Sequence, residues 1–106
     1  MTIDAWLASR TPTPPRRLAA RIREALGERA RADAAETPNL CVDAAFELLR
    51  ELVQKPDARR EAALDLLTVD ALVTYAFEAS ASDPNRVEAL ARDSMARFGS
   101  LAAVAV

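Results

Sequence analysis

Pro38-Asn39-Leu40-Cys41-Val42-Asp43-Ala44-Ala45-Phe46-Glu47-Leu48-Leu49-Arg50-Glu51-Leu52-Val53-Gln54-Lys55 is the stretch on which the fold of this 106-residue chain turns. At about 100° per residue, Cys41, Val42, Ala45, Phe46, Leu48, Leu49, Leu52 and Val53 fill one arc of a helix. Asp43, Glu47, Arg50, Glu51 and Gln54 fill the other. The two sets hardly overlap, and a period of two, which a half-buried strand would need, is absent. The stretch therefore predicts an amphipathic helix over 38–55. Thr37 is its expected N-cap, and Pro38 sits in the first turn, where its missing N–H has no intrahelical partner.

The same reading extends outward. Downstream, Lys55-Pro56 and Asp83-Pro84 mark two further helix entrances, the second with Asp83 as N-cap. Between them, 57–80 is apolar nearly all round from Ala62 to Phe77. Glu61, Asp65 and Thr68 form a narrow seam in its first half, and Asp70, Thr74 and Glu78 form a displaced seam in its second. A helix of that kind is covered on several sides, so it is expected to be the central one. The last helix, 84–103, has Val87, Leu90, Ala91, Ser94, Met95, Phe98, Leu101 and Ala102 on one face.

Upstream, 15–31 places Leu18, Ile22, Ala25 and Leu26 on one face and arginines over the others, with Gly27 weakening its end and 30–36 expected to fray. A short helix, 2–9, is capped by Thr2 and carries Ile3, Trp6 and Leu7. Pro12, Pro14 and Pro15 separate it from the next. The expected fold is all-α: a compact bundle of four principal helices plus a short N-terminal helix. It forms one domain over 1–106, with 1–14 as short helix and proline-rich linker and 15–106 as the helical body. A chain this long can bury a core without disulfide or metal staples.

Composition agrees. Apolar residues make up 51% and charged residues 28%, as in ordinary globular proteins. Alanine is abundant and glycine occurs only at 27 and 99, a bias that favours helix. Thirteen arginines against the single Lys55 point to a GC-rich, bacterial source. Cys41 stands alone, so no intrachain disulfide can form, and a reducing cytoplasm is expected. Met1 to Arg10 lacks the pattern of a signal peptide, and no apolar run approaches the roughly 20 residues of a membrane span.

Several chemistries are excluded by residue type. There is no histidine, which removes the Ser-His and Cys-His nucleophile pairs and the usual general base near neutral pH. One cysteine cannot build a thiolate zinc site in a monomer. Two glycines 72 residues apart make no phosphate loop. No catalytic residue, cofactor or metal is therefore expected. Asp65 and Asp70, five residues apart, lie on different faces. Asp70, Thr74 and Glu78 share an edge that fits a solvated or interface seam better than a cation site. Cys41 lies in the apolar arc and reads as a buried, inert thiol.

Charge is unevenly placed. From Arg10 to Arg31 seven arginines face two glutamates, a net +5, whereas 32–106 carries a net −6. Arg16, Arg17, Arg21 and Arg23 are candidate interaction residues toward an acidic partner or nucleic acid. The simpler expectation is that this basic helix docks on the acidic remainder of its own fold or dimer. Nucleic acid fits less well, because the chain is acidic overall and no aromatic interleaves with those arginines. Trp6 is either a docking anchor or a pin for the first helix. Leu72 and Val73, on the helix that is apolar all round, are expected on a self-association face.

Asp70-Ala71-Leu72-Val73-Thr74-Tyr75-Ala76-Phe77-Glu78 resembles a helix of the trans-isoprenyl diphosphate synthases, in which a Gly-Asp-Ala-Leu run leads into Ala-Phe. The likeness covers nine residues. Val69 stands where that family has glycine, and the aspartate-rich motifs that hold diphosphate through magnesium are absent. The resemblance implies at most a non-catalytic relative or small subunit, not prenyl transfer. The sequence-based expectation is a non-enzymatic protein-interaction module or accessory subunit that forms a homo-oligomer or binds a protein partner. The alternatives are a binder of an apolar ligand such as an isoprenoid and a small nucleic-acid-associated regulator.

Overall fold

A computed structural model describes residues 1–55 and 60–105. Five α-helices follow one another: α1 (Ile3–Ala8), α2 (Arg16–Leu26), α3 (Thr37–Gln54), α4 (Arg60–Ser80) and α5 (Pro84–Ala105). Two short 3₁₀ turns, Gly27–Arg31 and Ala34–Glu36, join α2 to α3. There is no strand among the described residues, so the chain is all-α, with four long helices and a short first one. No helix among the described residues is long and apolar enough to cross a membrane.

The helix ends follow local chemistry. Thr2 Oγ1 accepts a hydrogen bond from the Ala5 amide at 3.1 Å and caps α1 as expected. Asp83 Oδ1 accepts from the Asn85 amide at 3.1 Å and the Arg86 amide at 3.3 Å, at the mouth of α5. Thr37 does not act as a cap. It is the first residue of α3, fully buried, and its hydroxyl donates to the Ala34 carbonyl at 2.6 Å. The Lys55-Pro56 entrance lies partly outside the described residues, as does the expected start of the fourth helix at 57.

The basic helix ends earlier than its charge pattern suggested. Gly27 has φ +57° and ψ −129°, a conformation that L side chains rarely adopt, and α2 stops at Leu26. The segment expected to fray is instead held. The Ile3 amide donates to the Ala32 carbonyl at 2.9 Å and the Ala34 amide to the Met1 carbonyl at 2.8 Å, so that Thr2 and Asp33 form an antiparallel bridge. This bridge seats α1 on the connector, and Ile3 is completely buried.

α3, rather than α4, contributes most to the core, although α4 also packs on α2, α3 and α5. α3 packs on α2, α4 and α5, and buries Thr37, Pro38, Cys41, Val42, Ala44, Ala45 and Leu48. The core joins Cys41, Val42, Ala44 and Ala45 of α3 to Ile22 and Leu26 of α2, Leu72 and Ala76 of α4, Leu90 of α5 and Ile3. Small side chains on α3 let the neighbouring backbones come close, so one helix can serve three partners. Phe46 and Phe98 meet at 6.1 Å and tie α3 to α5. α4 packs most extensively on α3 and also on α2 and α5, and the side that carries Leu66 and Leu67 is left open.

Candidate interaction surface

On α4, Thr68, Leu72, Ala76 and Ser80 recur every four residues and are buried, which fixes the inward face. Thr68 and Ser80 satisfy their hydroxyls within the helix, on the carbonyls of Leu64 at 2.8 Å and Phe77 at 3.1 Å. The outward face begins with Ala63, Leu66 and Leu67, and continues as Asp70, Thr74 and Glu78, all exposed. Leu66 is 54% and Leu67 56% exposed. The outer side of α4 is therefore apolar in its first half and polar in its second. Thr74 turns its hydroxyl onto the Asp70 carbonyl at 2.8 Å, and this edge is a solvated one. No group of three or more acidic or thiol side chains suited to a metal ion occurs among the described residues.

Leu72 does not belong to a docking face. It is completely buried inside the protomer, and Val73 is half-buried against the same core. The all-round apolar pattern identified the right helix, but it could not say which leucines α3 would cover. Leu66 and Leu67 were missed for that reason.

The four arginines of α2 divide into two pairs. Arg21 Nε donates to Asp65 Oδ1 at 2.6 Å, with Glu24 at 3.4 Å, and the hydrogen bond to Asp65 raises the Arg21 pKa. Arg23 approaches Asp4 of α1 at 3.3 Å. Arg29, just beyond α2, meets Glu47 of α3 at 2.6 Å. The basic segment is thus partly neutralised by its own fold, as the uneven charge suggested. Arg16 and Arg17 remain at the surface. Arg17 lines a cleft of about 280 Å³ together with Glu61, Ala63, Leu64 and Leu67 of α4, so a cation and an anion both border the exposed Leu67.

Trp6 is half-buried. Its ring meets Tyr75 of α4 edge-on at 6.1 Å, and the Arg10 guanidinium lies over it at 4.8 Å. Trp6 therefore pins α1 to the body. Burial is the chief reason that the Tyr75 hydroxyl titrates above its usual range. The apolar cleft nearby, lined by Leu7, Pro14, Ile22 and Tyr75 among others, holds about 70 Å³. Sites that enclose a small molecule run to roughly 300–1,000 Å³. Cys41 is completely buried, and desolvation pushes its thiol up to about 12.

No protein-family profile, no curated protein and no solved structure matches this chain.

Proposed function

We propose that the chain is a non-enzymatic helical module that docks on protein through the outer side of α4. The observation that carries this reading is the pair Leu66 and Leu67, both more than half exposed on a helix whose opposite face is packed into the core. Exposed apolar side chains presented side by side on a regular helix, with charge at the rim, have the composition of an interface centre. Helix-in-groove recognition and helix-on-helix pairing both use such a face. The lack of histidine and the inert burial of the only cysteine support a binding role over a catalytic one.

Native mass spectrometry of the protein purified from its own host tests the reading. The wild-type chain should carry a protein partner or a second copy, and a Leu66→Glu, Leu67→Glu double variant should lose it while keeping its helical circular dichroism. Equal retention by both forms would overturn the proposal, as would a catalytic turnover abolished by one carboxylate substitution in a folded chain.

A further inference from the structure

We infer that the occupant of this face is a second copy of the chain, paired α4 to α4 in antiparallel fashion about a two-fold axis between Leu66 and Leu67. The inference rests on the docking reading and names its partner. Ala63, Leu66, Leu67 and Asp70 follow one another at helical spacing along the outer side of α4. An antiparallel pairing centred on the two leucines sets Asp70 opposite Ala63 of the partner subunit. Ala63 shares its cleft with Arg17 and with Glu61, which lies two residues further from the axis and would stand level with the inward-facing Leu72 rather than with Asp70. The exposed Asp70 carboxylate thus comes to the exposed Arg17 of the partner subunit, and the two-fold axis repeats the pair on the other side. A surface with leucine at its centre, Arg17 beside Ala63 at one end and Asp70 at the other complements itself, as an isologous interface must. Two half-exposed leucines per copy cover much less than the roughly 800 Å² per partner of a tight complex. The dimer is accordingly weak and forms with rising concentration.

The charge pair gives a test that no contact within one chain can imitate. Arg17→Glu alone sets glutamate against aspartate across the axis, and Asp70→Arg alone sets arginine against arginine. Each should weaken the dimer, by roughly three- to tenfold for two reversed exposed pairs. An equimolar mixture of the two variants restores both pairs in a heterodimer, and should associate more tightly than either variant alone. Both residues are exposed, so folding is unaffected. Sedimentation equilibrium from micromolar to millimolar concentration reads the result, with the Leu66→Glu, Leu67→Glu double variant expected to stay monomeric. A wild-type chain that is monomeric throughout, or a mixture no tighter than its components, overturns the inference. If the wild type is monomeric but loses another protein in native mass spectrometry when both leucines are replaced, the second copy is refuted and the docking reading stands.

Discussion

Leu72→Ala separates the interior of α4 from its outer side. Leucine and alanine differ by three carbons, each contributing about 0.8 kcal/mol on full burial, or about 2.4 kcal/mol in transfer alone. Leu72 is completely buried among core residues, so a cavity cost is added, and the total should reach about 3–4 kcal/mol. Leu66 and Leu67, with less than half of each side chain covered, should lose only about 1 kcal/mol on the same change. In a domain of this size 1 kcal/mol moves Tm by roughly 4–8 °C, so Leu72→Ala should melt some 12–30 °C below wild type, and Leu67→Ala within about 8 °C. Thermal unfolding followed at 222 nm, at a micromolar concentration where a weak dimer contributes little, measures both. The reasoning is refuted if Leu72→Ala is no more destabilising than Leu67→Ala, because the inward face of α4 would then be wrongly placed.

Three other outcomes follow from two particular residues. The buried thiol of Cys41 should react with a thiol reagent only in denaturant, and rapid labelling of the native protein would contradict its burial. Its pKa rises from 9.0 to about 12 on folding, so the unfolded chain ionises first. The stability it lends is intact below pH 9 and is lost between pH 9 and 12, by at most ~1.4 kcal/mol per pH unit. Cys41→Ala should flatten that alkaline loss in urea titrations, and an unchanged slope would assign it to other groups such as Tyr75. Gly27→Ala meets no neighbouring atom, so its cost is conformational only. Forcing alanine to φ +57° and ψ −129° should cost about 1–3 kcal/mol in chemical denaturation, and a neutral result would mean that the end of α2 is not held in that conformation.

The helices themselves were legible because their cause is local. The apolar arc from Cys41 to Val53, the prolines in the first turns of α3 and α5, and Thr2 and Asp83 as caps act within one or two turns, and each stands in the structure at its expected place or within a residue or two. The exceptions mark where distant groups compete. Thr37 would cap an isolated helix, but the preceding 3₁₀ turn offers it the Ala34 carbonyl and draws it into α3. Residues 30–36 have no strong periodicity of their own, yet they are held because the backbone of Met1 to Ile3 pairs with them across thirty positions of sequence.

The linear order of residues was enough to establish an all-α chain, its helix count, the inward position of Cys41 and the excess of positive charge on α2, since these depend on residue type, spacing and propensity. Which helix lies at the centre depended on packing. α3 carries cysteine and alanine where its neighbours approach, so α2, α4 and α5 can all reach it, whereas α4 touches α2, α3 and α5 and still leaves Leu66 and Leu67 in solvent. Leu72 and Leu66 are chemically identical and lie six residues apart on the same helix. Only the positions of the surrounding helices made the first a core residue and left the second facing solvent, because burial is a property of what surrounds a side chain and not of the side chain itself.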